Sequence, residues 1–277
     1  MQVGSRSELR RINHAQNLHN KKSLILSFFI LLTLIFSLVT FMNPSFMKKQ
    51  LAKENNSVVV ERYINDKFDN FANSINANRN GDTSNILTTK QTKPIADAMI
   101  DYTLGFHLFR TETASVAEEI KTVIFTKIND NSSTEAQSVK KILKKNNTQG
   151  IYAIITGFNL SNLTLAANIE TLFVLVNVLI SVLCIISLIA ILKDMMLHLS
   201  GKGFFHTLSS AGMWTGALSI IIYGILALTP MLFSVESLPL AIGYWLEIAS
   251  GIFLELVIIG VGLFIISTIC WQLTSSN

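Results

Sequence analysis

Cysteine is nearly absent from this 277-residue chain: Cys184 and Cys270 are the two, and both lie in apolar runs. Residues 43–170 contain none, so that stretch is not a disulfide scaffold. Charge is scarce as well, at 14% of residues, against about 25% in a soluble domain. The deficit is local. Residues 207–277 hold no Lys or Arg and three acids, Glu236, Glu247 and Glu255, whereas 43–170 hold 15 Lys/Arg and 13 Asp/Glu. No basic helix or arginine-rich stripe is present, which argues against a nucleic-acid partner.

Catalytic signatures are missing too. His198 and His206 stand eight apart, without the His-Glu-x-x-His spacing of a helical zinc site. Gly201-Lys202-Gly203 lacks the upstream glycine and the following Ser/Thr of a phosphate loop. No G-x-S-x-G run appears. The expectation is therefore no catalytic residue, no metal ligand and no cofactor.

What is present is apolar length. Crossing the hydrocarbon core takes about 20 apolar residues. Ser23–Met42, Thr171–Leu192 and Thr207–Thr229 supply 20, 22 and 23 without a charge, and Leu246–Cys270 supplies 25 with Glu247 and Glu255 in it. Trp245 and Trp271 bracket the last run as interfacial anchors. Asn43-Pro44 and Pro230 close the first and third. The first run exceeds the length of a cleaved signal's core and no A-x-A site follows, so it reads as an uncleaved signal anchor.

These runs predict an all-α integral membrane protein with four transmembrane helices (23–42, 171–192, 207–229 and 246–270) and a helical extracytoplasmic domain, 43–170, between the first two. Short-loop charge sets direction. Residues 1–22 carry Arg6, Arg10, Arg11, Lys21 and Lys22, loop 193–206 carries Lys193 and Lys202, and loop 230–245 carries neither Lys nor Arg. Hence segment 1–22, loop 193–206 and tail 271–277 are expected to be cytoplasmic, and 43–170 and 230–245 outside. An Asn- and Lys-rich, cysteine-free outer segment fits an exported bacterial chain and a cell-membrane location.

Within 43–170 the pattern is helical. Ile64, Phe68, Phe71 and Ile75 recur at steps of four, three and four, one face of a helix. Thr92 before Pro94 reads as a helix start. Ser115-x-x-Glu118 and Ser132-x-x-Glu135 have capping-box spacing. Asn78–Ser84 and Asn146–Gly150 read as loops. The apolar faces form a small bundle core or, alternatively, a groove for a peptide or partner helix.

In the membrane, Glu255 stands out. A carboxylate in hydrocarbon is costly and faces a bundle interior or water. Glu247, Gly251, Glu255, Ile258 and Gly262 share one helical face, expected to pack inward. Asn177, Ser181 and Cys184 form a polar stripe on the second span, and Gly212-x-x-x-Gly216 lies on the third. Small residues allow close helix approach, so Gly212, Gly216, Gly251 and Gly262 are candidate packing positions, within the chain or between copies. Glu255, Glu247 and Asn177 are the candidate functional residues in the membrane. Loop 193–206, with Phe204 and Phe205, is expected to be a short interfacial helix or a site where a cytoplasmic protein docks.

One span, an outer domain, then three spans is similar to the layout of FtsX-type division proteins and MacB-type permeases of ABC systems. That resemblance implies coupling of a cytoplasmic ATPase to an outer domain. It is one of layout only, since the charged inner-loop motif after the second span is missing here. The expected function is a non-enzymatic sensing, binding or accessory subunit, with the bilayer and a membrane or cytoplasmic protein as partners. The alternative is a small homo-oligomeric transporter or channel that uses Glu255.

Overall fold

The computed structural model describes residues 6–77, 86–129, 131–145, 147–232 and 240–275. The described chain is all-helical: α1 (Arg6–Val39), α2 (Pro44–Leu51), α3 (Glu54–Ser74), α4 (Thr89–Leu104), α5 (Ala114–Lys127), α6 (Thr134–Lys145), α7 (Asn147–Gly157), α8 (Leu160–His198), α9 (Gly201–Ala227), α10 (Thr229–Leu232) and α11 (Leu240–Ser275). Four helical stretches are long and apolar enough to cross a membrane: Leu18–Val39, Leu160–His198, Gly201–Met231 and Ile248–Ser275. The protein is thus a multi-pass helical membrane protein with a helical domain inserted between its first two spans. It divides into two compact units, one of Met1–Ser37, Val176–Leu238 and Trp245–Asn277, the other of Leu38–Leu175 with Pro239–Tyr244.

The inserted unit is organised around α3. Its stripe of Ile64, Phe68 and Phe71 is fully buried and packs on α4 and α7, with α5 closing against both of those helices. Ile95, Ile120, Ile124, Leu143 and Ile154 complete one continuous core. The approach of α7 to α3 is close: a Cβ on Gly157 would lie 2.4 Å from the Phe71 Cα. Asn159, at φ 53°, occupies the left-handed region that Asn tolerates better than most residues. It turns the chain from α7 into α8.

Helix boundaries differ from expectation in instructive ways. The fourth helix starts at Thr89, not Thr92, because Gln91 Oε1 accepts the Thr88 N–H (2.9 Å) in a capping box; Pro94 is simply inside the helix. Thr113, not Ser115, stands at the cap position of α5. Ser133, not Ser132, caps α6, its Oγ accepting the Ala136 N–H (3.2 Å). The Ser132 hydroxyl is taken by the Asn129 N–H and the Gln91 side-chain amide. Residues 147–150 are the first turn of α7 rather than loop, and Asn78–Ser84 lies outside the described residues. Asn43 caps α2 by accepting the Phe46 N–H (3.1 Å), with Pro44 as first helical residue.

The buried polar group that matters most here is Asn65. Its amide oxygen accepts the Leu87 N–H (2.8 Å), and its amide nitrogen donates to the Leu87 carbonyl (2.9 Å) and the Glu61 carbonyl (2.9 Å). One side chain therefore anchors the strandless segment before α4 onto α3. Asn65→Ala leaves the buried Leu87 N–H and C=O unpaired, at a cost of about 2–3 kcal/mol. A lower thermal midpoint and faster hydrogen exchange at 86–90 should report it. Unchanged exchange there would show that the anchor contributes nothing.

Candidate functional site

In the membrane unit the polar stripe of the second span faces inward. Asn177 and Ser181 are buried. The Asn177 amide donates to the Leu34 carbonyl of α1 (3.3 Å), and the Ser181 hydroxyl to Asn177 Oδ1 (3.4 Å). Further along α1, the Thr215 hydroxyl donates to the Ile25 carbonyl (3.3 Å) and the Thr33 and Tyr223 hydroxyls meet at 2.5 Å. Tyr223 is held between the rings of Phe29 and Phe253. Apart from the Ser181–Asn177 bond, which stays within α8, these contacts satisfy polar groups against neighbouring helices, which stabilises each pair by well under about 2 kcal/mol.

Gly212 and Gly216 lie where α9 meets α11. A Cβ on Gly212 would meet Ser267 Oγ at 2.4 Å, and one on Gly216 would meet the Phe264 N and the Gly260 O at 2.7 and 2.8 Å. Gly251 and Gly262 do not share this role within the chain, since a Cβ there would meet nothing within 4 Å. The buried side of α11 is Ile248, Ile252, Leu256 and Ser267, with Gly260 against Gly216 and Ser219. The expected inward stripe Gly251–Glu255–Ile258–Gly262 is therefore corrected. The helix is turned by one residue, about 100°. Ile252 and Leu256 fill the space between helices with packing contacts that two glycines could not make, and the close crossing with α9 selects Gly260. Ile258 points away from the chain, and Glu255 is half-buried at the edge of the packed face. The Glu247 side chain lies outside the described residues.

At the other end of these spans, the expected interfacial helix is replaced by extensions of α8 to His198 and of α9 back to Gly201, joined at Leu199–Ser200. The Ser200 hydroxyl caps α9 by accepting the Gly203 N–H (3.2 Å). Phe204 packs onto a cluster of Leu24, Leu188, Met195 and Ala211. Phe205 points outward, 57% exposed. Of the two docking candidates, Phe205 is the accessible one. Asn20 donates to the Asp194 carboxylate (2.8 Å), and the His206 ring lies 5.4 Å from that of Trp271.

The inserted unit offers two further features. A cleft of about 400 Å³ opens where α3 ends and α6 meets α7, lined by Ile75, Asn76, Leu143, Gly150, Tyr152 and Thr156. Its size is that of a small-molecule site, and among the described residues no carboxylate, amine or imidazole lines it, Tyr152 being its one ionisable group. The lysine-rich end of α6 is partly structural: Lys140 donates to the carbonyls of Phe125 (2.8 Å) and Ile128, completing the end of α5. Where α2 meets α4, Lys48 pairs with Asp101. Burial raises the Asp97 carboxyl there, Lys93 and Lys48 oppose the shift, and Asp101 adds to it.

The second feature escaped the pattern-based reading. Residues 105–113 leave α4 and expose Phe106, Leu108 and Phe109. The signal was legible as three large apolar residues within four positions outside any periodic helix, Phe106-His107-Leu108-Phe109.

Compared with known proteins, the chain matches no described family, no curated protein and no solved structure.

Proposed function

We propose that this protein is a non-enzymatic component of a membrane complex, whose inserted helical domain binds or senses a partner outside the cell while the spans contact a membrane or cytoplasmic protein. The supporting observation is a division of labour. The inserted unit has a continuous core of its own, and in the spans Asn177, Thr215 and Tyr223 are engaged in hydrogen bonds between helices. The charge asymmetry supports cytoplasmic termini with 43–170 outside. The layout, like that of ABC-type permeases, favours a cytoplasmic ATPase as the partner, docked around exposed Phe205.

Crosslinking in native membranes, purification in mild detergent and identification of bound proteins tests this. A stoichiometric ATPase or envelope complex, reduced at least several-fold by Phe205→Ala, is the expected result. A clean homo-oligomer with nothing else bound overturns it.

A second reading rests on Glu255, a half-buried carboxylate in the last span. A homo-oligomeric transporter or channel would use it to bind a proton or cation. Glu255→Gln then abolishes ion-dependent flux in liposomes. Under the accessory reading the same substitution leaves partner capture unchanged.

A further inference from the structure

We infer that the loop after α4 is a second membrane contact, an apolar wedge of Phe106, Leu108 and Phe109 that lies in the headgroup zone of the leaflet beside the inserted unit.

Three observations within that unit carry this. First, the loop exposes large apolar groups that pack on nothing among the described residues. Phe106 is 104% exposed, Leu108 81% and Phe109 61%. Ordinary loops present polar tips, and a contiguous exposed apolar patch marks an interaction surface.

Second, the loop is pinned to α8 at one level. Asn168 brackets the Arg110 backbone, its Oδ1 accepting the Arg110 N–H (2.7 Å) and its Nδ2 donating to the Arg110 carbonyl (2.9 Å). The His107 ring meets the Thr171 hydroxyl (3.0 Å). The same ring reaches the Thr103 and Leu108 carbonyls, and the Arg110 guanidinium lies 4.2 Å from the Tyr102 ring centroid. Polar groups thus face the helix and fix the loop, while the three apolar side chains are turned out.

Third, the level is that of the lipid boundary. Thr171 is the first residue of the uncharged apolar run 171–192, on the same unbroken helix. The next turn exposes Leu172, Phe173 and Leu175, so the tip adds to the exposed apolar surface of a candidate span. Interfacial apolar groups of this kind sink about 5–10 Å into the headgroup and acyl boundary. The contact would hold the inserted domain at a set height and orientation over the bilayer.

The test uses the full chain with Cys184→Ser and Cys270→Ser, reconstituted in phosphatidylcholine vesicles containing spin-labelled lipid. An environment-sensitive fluorophore is placed on Phe109→Cys, on Leu172→Cys as the lipid reference, and on Ser161→Cys as the aqueous reference. Ser161 is exposed and lies ten residues before Thr171, about 15 Å up the helix axis. The expected result is a blue-shifted probe at 109, quenched by lipid spin labels to within about twofold of the probe at 172, with the probe at 161 unquenched. A probe at 109 that behaves like the one at 161, open to iodide and untouched by the lipid label, overturns the inference. So does protection of position 109 in native membranes but not in pure lipid, which would make the tip a protein contact.

Discussion

Gly157→Val is expected to dismantle the core of the inserted domain. The last residue of α7 sits directly on the α3 backbone. A Cβ there would fall 2.4 Å from the Phe71 Cα, 2.5 Å from its N and 2.6 Å from its Cβ. None of those atoms is the end of a flexible side chain. Phe71 is itself fully buried, its ring against those of Phe68 and Phe158, so the clash is relieved only by parting the two helices. Overpacking of this kind costs about 1–3 kcal/mol when the surroundings can shift. With backbone as the obstacle, the upper end of about 3 kcal/mol or beyond is expected. Hydrogen exchange along α3 and α7 should then accelerate by about a hundredfold or more, since 1.4 kcal/mol is a factor of ten. Gly251→Ala, where a Cβ meets nothing within 4 Å, serves as the silent control. Wild-type exchange in Gly157→Val would refute the close packing of α7 on α3.

Gly216→Leu should do the same to the membrane bundle. The Gly216 and Gly260 backbones approach so closely that added carbons meet Phe264 N at 2.7 Å and Gly260 O at 2.8 Å. In lipid, helix association depends on such packing rather than on a hydrophobic drive. Separating α9 from α11 also strips contacts from Tyr223 and Phe253, which stack beside this crossing. A loss of about 2–3 kcal/mol follows from overpacking at a rigid site. It should appear as early unfolding in a detergent or denaturant titration, with a midpoint independent of protein concentration. Gly262→Leu, placed in open space, should shift that midpoint by about 0.5 kcal/mol at most. If Gly216→Leu instead leaves the single chain stable and splits an oligomer, the glycine pair joins copies of the protein rather than two helices of one chain.

Much of this architecture was written in local chemistry. Long uncharged runs have one stable solution in hydrocarbon, the helix that satisfies its own backbone, so four candidate spans and the domain between the first two were legible at once. The Ile64, Phe68, Phe71 stripe was equally plain, because helical periodicity of large apolar residues leaves a single face to bury. Cap positions slipped by one to four residues. Serine and threonine hydroxyls at neighbouring positions can each accept an N–H, and the choice at Ser132 and Ser133 was made by Gln91, which arrives from α4.

The candidate site residues divide along the same line. Asn177 could be placed on an inward face from its stripe, since Ser181 shares that face. Phe204 and Phe205 were equivalent as sequence, yet one packs in a cluster and the other is exposed, because neighbours on a helix point about 100° apart. Gly212 and Gly216 form a close pair in sequence and Gly251 and Gly262 do not, yet all four stood as packing candidates because each is a glycine in an apolar helix. Only the crossing of α9 with α11 decided which pair meets another helix, and it chose Gly260 as the counterpart. The sequence by itself determined which stretches are long and apolar enough to cross lipid and which residues share a helix face, since both follow from hydropathy and a fixed helical period. The tertiary structure alone decided how far each helix is rotated about its axis. It thereby decided which glycines touch, where Glu255 sits and which loop residues stand uncovered, because rotation is set by side-chain fit between partners distant in the chain.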